Sequence, residues 1–219
     1  MPRNKYPEET VQKILDVSLK LFMEKGYEET TILDIVDHLG GLSRGAFYHH
    51  FKSKDEVLNA LSDKLFFDNN PFEQVRQEKG LTGLEKLRKV IKTPFLNEEL
   101  QEINAMSVPL AKNPRILAEY IASNQRVLAP LLEELVEEAI QDGSIPDLKY
   151  PKAFSSLFAM IVDIWFMPTI FPCTKEELLE RLELIKDLLD KAGIPIMDEE
   201  ILQLAKQKIT QFMESMDQK

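Results

Sequence analysis

The chain has 219 residues, 44% of them hydrophobic, which suits one or two domains with a buried core. It carries 37 acidic against 27 basic residues, a formal net charge of -10, so nucleic-acid binding through the overall field is excluded and any such role rests on a local basic face. A single cysteine, Cys173, excludes an internal disulfide and a cysteine-based metal cluster and fits a reducing, cytoplasmic setting. The opening Met-Pro-Arg-Asn-Lys-Tyr leads straight into charged residues and reads as carrying no apolar signal segment.

The pattern is helical nearly throughout, since few runs alternate with period two and eight glycines are too few for an all-β domain. The spacing predicts a first helix from about Pro7 to Lys25. Glu8 and Glu9 complement the dipole of its first turn, and Val11, Ile14, Leu15, Ser18, Leu21 and Phe22 share one face. Gly26 is expected to end it as a left-handed cap, with Tyr27 folding back on Phe22. Helix two starts at Thr30 or Thr31, where Thr31 and Asp34 form a capping-box variant, and it buries Ile32, Ile35, Val36 and Leu39. Gly40 and Gly41 stop it. Ser43 caps a third helix, Arg44 to about Phe51, and a Ser53–Glu56 box opens a fourth that runs to about Phe67 with Val57, Leu58, Leu61 and Leu65 inward.

Residues 68–72, Asp-Asn-Asn-Pro-Phe, read as a break and place a domain boundary near residue 68, giving domains 1–67 and 68–219. Helical segments follow at about 81–92, 98–111, 114–141, 150–167, 174–192 and 198–216. Pro94, Asn113-Pro114, Asp142-Gly143 with Pro146, Pro172, and Gly193 with Pro195 punctuate them, while Pro109 and Pro130 fall inside and should kink them. The expected fold is all-α: a three-helix head on a larger helical bundle, about nine to ten helices in all. Residues 153–171 approach the length of a membrane span. Asp163 at their middle and Pro168 argue instead for a buried helix, so no membrane role is expected.

The chemistry concentrates in residues 30–54. A glycine turn joins two short helices. On the second, Phe47 and Phe51, four apart, can pin one side to a core, and Ser43, Arg44, Tyr48 and His49 remain for the other. Gly45 and Ala46 are small and permit close approach. These are the demands of a helix-turn-helix whose second helix lies in the major groove of duplex DNA. Arg44 suits guanine O6 and N7, and Ala46 a thymine methyl. The helix N-termini at Thr31 and Ser53 suit phosphates, with charge added by Lys52 and Lys54.

Residues 10–65 resemble the DNA-binding head of TetR-type (tetracycline repressor-like) regulators. The resemblance is carried by Ile14-Leu15, Leu21-Phe22, Gly26-Tyr27, Thr30-Thr31-Ile32, Asp34-Ile35, Gly45-Ala46-Phe47-Tyr48-His49-His50-Phe51 and Lys52-Ser53-Lys54-Asp55. It implies a homodimeric, ligand-responsive repressor whose C-terminal helices dimerise and enclose an effector pocket. By position it puts DNA contacts on Thr31, Ser43, Arg44, Gly45, Tyr48, His49 and Lys54. The turn departs from the family pattern: Leu39-Gly40-Gly41-Leu42-Ser43 has one residue more than a single glycine, one apolar residue and a serine or threonine.

For the bundle, the sequence offers Phe95, Met106, Tyr120, Phe158, Asp163 and Trp165 as lining for an effector pocket, although composition alone does not separate pocket from core. Residues 150–167 and 174–192 present the faces expected to pair two copies in a four-helix bundle. Adjacent His49 and His50 point about 100° apart on a helix and have no accompanying ligands, so no metal site is expected. No cofactor is implied. Glu-x-x-His, a glycine-rich phosphate loop and a nucleophile elbow are all missing, so the chain does not read as an enzyme. The competing reading is a helical protein-interaction module that has lost DNA binding.

Overall fold

The structure, a computed structural model, describes residues 7–67, 71–97 and 112–217, and every regular element among them is helical. Two compact units emerge: Met1–Asp68 with Met106–Tyr120, and Asn69–Ala105 with Ile121–Lys219.

The first unit is built from α1 (Pro7–Lys25), α2 (Ile32–His38), α3 (Arg44–His50) and α4 (Lys54–Phe67). α1 buries Ile14, Leu15, Ser18, Leu21 and Phe22. It ends where Gly26 takes φ +87° and gives its N–H to Phe22 O at 3.1 Å. Tyr27 then returns edge-on to Phe22 with 5.0 Å between rings and is 2% exposed. The Thr31–Asp34 capping box is complete in both directions. Lys25 and Thr31 hydrogen-bond the Asp34 carboxylate and hold it well below the usual carboxylate range. Gly40 and Gly41 adopt φ of +61° and +100°, two successive left-handed residues that turn the chain from α2 into α3. The second capping box forms by half. Glu56 N–H donates to Ser53 Oγ at 3.1 Å, but the Glu56 carboxylate accepts from Lys52 N–H, one residue earlier than a regular box.

The core of this unit closes around Ile14, Phe22, Tyr27, Ile35, Leu39, Phe47, Phe51, Val57 and Leu61, and Ile116 joins it from the separate segment. The described residues 112–120 group with this unit. The Leu65 side chain lies outside the described residues. Ser18 is fully buried, and its hydroxyl has no hydrogen-bond partner among the described residues. An unsatisfied buried hydroxyl costs about 1–3 kcal/mol. Ser18→Ala is therefore expected to stabilise the head by about 1 kcal/mol in denaturant unfolding; a destabilised variant would contradict that accounting.

The second unit begins with α5 (Pro71–Gln77), where the sequence suggested only a bend. Pro71 suits a first helical turn, and the burial of Phe72 and Val75 gives so short a helix its tertiary support. α6 (Gly83–Leu96) opens with a Thr82–Glu85 capping box and runs through Pro94 instead of stopping there. Pro94 falls in the last turn, where Asn97 N–H still closes onto Thr93 O at 3.1 Å. The expected helix at 98–111, with Met106 and Pro109, lies outside the described residues.

α7 (Pro114–Ser123) continues through a π-helical stretch, Asn124–Leu128, into α8 (Ala129–Gln141). Ala129 N–H reaches back five residues to Asn124 O, immediately before Pro130, which has no N–H to give. The wide turn thus absorbs the proline that the sequence marked as a kink. α9 (Pro151–Met160) likewise passes into a π-helical stretch, Ile161–Trp165, ahead of Pro168. α10 (Lys175–Lys191) is capped by a Thr174–Glu177 box and ends at Gly193 (φ +74°), and α11 (Glu199–Asp217) follows. α9 and α6 both pack on α8, and α10 packs on α11. No described helix is long and apolar enough to cross a membrane.

Candidate nucleic-acid interface

Seven residues make α3, too few to be helical alone, so its orientation is imposed from behind. Phe47 is 0% exposed and Phe51 7%, with ring centroids 6.1 Å apart. Ser43 caps the helix: its Oγ accepts from Ala46 N–H at 3.2 Å. With that side fixed, Ser43, Arg44, Gly45, Tyr48 and His49 all lie exposed, and Ala46 is half-buried. The Arg44 guanidinium sits 5.6 Å from the centre of the Tyr48 ring, one turn on, and Tyr48 meets Phe47 edge-on. The result is a polar, donor-rich flank with small residues at its near end. A Cβ added to Gly45 would meet only Ser43 Oγ at 3.8 Å, so the protein itself does not require glycine there.

The flanking positions divide. Thr31 is exposed, but its hydroxyl is engaged with Asp34 in the cap of α2. Lys52 is exposed beside the end of α3. Lys54 is half-buried, and its ammonium points at the carbonyls of Tyr27, Glu28 and Thr30. Between residues 37 and 54, Arg44, Lys52 and Lys54 stand against the one carboxylate of Asp37, so the basic face is modest, and one of its charges is turned inward. His38 is exposed, with Nδ1 at 2.8 Å from Asp34 O. His50 packs against His49 at 5.2 Å between rings, and no three-residue group of possible metal ligands occurs among the described residues.

Burial, and next the neighbouring His49, push the His50 imidazole below its ordinary value of 6.5. The unfolded chain then binds more protons than the folded one between the lowered value and 6.5. The stability contributed by neutral His50 is complete above about pH 6.5 and is lost as pH falls through the folded value. Unfolding at pH 7.5 and pH 5 should show a decline in wild type that His50→Asn reduces; an equal decline in both would refute it.

The expected pocket residues that the structure describes are distributed over several elements. Phe158 is buried and stacks on Phe154 at 5.6 Å. Asp163 accepts a hydrogen bond from the Asn124 amide at 2.8 Å. Tyr120 belongs with the first unit, Phe95 lies half-buried on α6, and Met106 is outside the described residues. Trp165 lines an apolar groove of about 360 Å3 with Met160, Ile161, Ile164, Phe171, Leu184, Ile185 and Leu188. The sequence reading missed a polar cluster in which Asn124 also donates to Ala159 O (3.1 Å) and Gln125 donates to Asn124 Oδ1 (2.8 Å) while accepting from Ser156. Two amides in succession within an apolar helical pattern were its only signal.

Residues 14–61 match the family of bacterial regulatory proteins of the tetR type. The chain is 29% identical over 146 residues to the transcriptional repressor KstR2 of Mycolicibacterium smegmatis, covering 62% of this chain and 68% of that protein. Two further relatives are covered over only 28% and 17% of their lengths. Among solved structures, a TetR-family transcriptional regulator from Syntrophomonas wolfei superposes with a TM-score of 0.62 at 25% identity, over 83% of this chain and 95% of that one. The regulator FadR from Bacillus subtilis, solved in complex with stearoyl-CoA, shares the fold with a TM-score of 0.53 at 18% identity, over 88% and 96%.

Proposed function

Because the chain belongs to the TetR family of transcriptional regulators, we propose that it is a dimeric repressor that binds a palindromic operator through α3 and is released from it by a small-molecule effector held in the second unit. The observation that carries this reading is the outward flank of α3, with Arg44, Gly45, Tyr48 and His49 exposed and Phe47 fully buried behind them. Such a helix, laid in a major groove, offers Arg44 to guanine and Ala46 to a thymine methyl, and Ser43, Tyr48 and His49 to base edges or phosphates. Lys52 adds a phosphate contact, and with it comes sensitivity to salt. The site of action is the cytoplasm, where the operator is.

Dimerisation through α9 and α10 is supported by apolar side chains left in the open on both helices, Leu157 at 60% exposure, Leu184 at 49% and Leu188 at 53%. Contiguous exposed apolar surface marks interaction sites, which is the reading taken for these two helices. A second copy across a twofold axis would bring two α3 helices to successive major grooves. Effector release then follows as a shift of population: an occupant of the second unit favours a spacing of the two heads that no longer matches one turn of DNA. That FadR was solved with an acyl-CoA supports a small molecule as the effector.

The reading is tested by titrating duplex DNA from upstream of the protein's own gene with wild type, Arg44→Ala and Tyr48→Ala. Wild type should bind, and each variant should weaken binding about 10- to 100-fold, the range of one good base contact. Absence of binding by all three would favour an interaction module without DNA activity, and equal binding by all three would mean that Arg44 and Tyr48 do not read the duplex.

A further inference from the structure

Lys54, the first residue of α4, occupies a position at which this kind of head would be expected to offer a charge to DNA. Its surroundings give it another task. The ammonium donates to Tyr27 O at 2.5 Å, Thr30 O at 2.9 Å and Glu28 O at 3.2 Å, and it lies 4.3 Å from the centre of the Tyr27 ring. An ammonium has three N–H donors, and three carbonyl oxygens take them. The same turn is gripped from the other side by the next residue, since the Tyr27 hydroxyl donates to Asp55 Oδ1. Burial and this bond to Asp55 both push the Tyr27 phenol well above its ordinary value, so the hydroxyl stays a donor.

The gripped segment joins α1 to α2. It starts at Gly26, the C-terminal cap of α1, and ends at Thr31, the N-cap of α2. Thr30 braces it from within by donating to Gly26 O at 2.7 Å. α4 in turn follows α3 after only Phe51, Lys52 and Ser53. One ammonium therefore ties the exit of α1, the entry of α2 and the start of α4 into a single corner, and α3 hangs between two of these.

We propose that Lys54 is a positioning residue and not a phosphate ligand: its ammonium clamps the Tyr27–Thr30 turn onto the start of α4 and thereby sets Thr31 and α3 in the arrangement that meets DNA. The proposal rests on the DNA-binding reading above for its consequence, though the clamp itself does not. A lysine that neutralises a phosphate releases counterions condensed on the DNA, whereas an ammonium that stays on its carbonyls releases none.

The test uses full-length wild type, Lys54→Met, Lys54→Gln and Lys52→Met. Affinity for the upstream duplex is measured across a potassium chloride series, and amide hydrogen exchange is followed without DNA. Lys52→Met should lower the slope of log affinity against log salt by about one, as the loss of a phosphate contact does. Lys54→Met should weaken binding about tenfold at every salt concentration while keeping the wild-type slope, and the amides of residues 28–31 should exchange faster. Lys54→Gln keeps two donors without the charge and serves if the methionine variant does not fold: a clamp leaves its slope unchanged, a phosphate ligand does not. A slope reduced by about one in either Lys54 variant would overturn the proposal. So would unchanged affinity in a variant that has merely lost stability. If wild type binds no duplex, the regulator reading fails by itself, and undiminished protection at residues 28–31 in Lys54→Met would still overturn the clamp.

Discussion

Phe47→Ala is expected to remove about 3–5 kcal/mol from the stability of the head, the range for deleting a fully buried phenylalanine ring. Phe47 is 0% exposed, lies 6.1 Å from Phe51 between ring centres and is grouped with Ile14, Phe22, Ile35 and Leu39 in one core. Its loss leaves a cavity under a helix of seven residues that has no means of keeping its shape without tertiary support. The energetic and functional effects therefore coincide. In denaturant unfolding the head should lose most of its margin, and DNA binding should disappear with it, whereas Tyr48→Ala, on the exposed side of the same helix, should leave unfolding within about 0.5 kcal/mol of wild type. A change below about 1 kcal/mol for Phe47→Ala would mean that α3 is held by something other than its buried side.

Gly83→Ala carries the second large effect, and it acts through a clash. A Cβ at Gly83 would stand 2.2 Å from Ala139 N, 2.5 Å from its Cα and 2.7 Å from its Cβ. The first two are backbone atoms of α8, which cannot rotate away, so α6 itself has to withdraw. Withdrawal breaks the capping of α6 from across the unit, where Asp142 accepts from Gly83 N–H at 2.6 Å and Ser144 accepts from Leu84 N–H at 3.1 Å. It also disturbs the pair of Lys86, which is 8% exposed, with Glu138. Over-packing of this kind costs about 1–3 kcal/mol, and the lost caps add about 1 kcal/mol. A drop of about 3 kcal/mol in the second unit is the expected result, read as a lower midpoint in denaturant unfolding. A variant as stable as wild type would show that α6 and α8 do not cross so closely.

Much of the head was legible because its signals are local. Gly26, the Thr31–Asp34 box, the Ser43 cap and the Phe47–Phe51 spacing each specify a structure within four residues, and each appears as the sequence suggests. What escaped the reading is long-range or is a balance between local terms. Lys54 looked like an outward charge because its carbonyl partners lie 24 to 27 residues earlier in the chain. α5 looked like a bend because Asp68-Asn-Asn-Pro outweighs two apolar residues until burial of Phe72 and Val75 is counted. Pro94 and Pro130 looked like breaks or kinks, but a last-turn position and a π-helical stretch accommodate them. The expected pocket residues share only an apolar or aromatic character, apart from Asp163, and such character specifies a core as readily as a cavity.

Guanine N7 faces the major groove, so methylation there reports directly on whether α3 lies in it. Methylation interference on the upstream duplex, run with wild type and with Arg44→Ala, should show two symmetric sites about one helical turn apart for the wild-type protein, and both should fade in the variant. Interference that is absent, or that persists unchanged without the Arg44 guanidinium, would contradict the assignment of the exposed side of α3 to base reading.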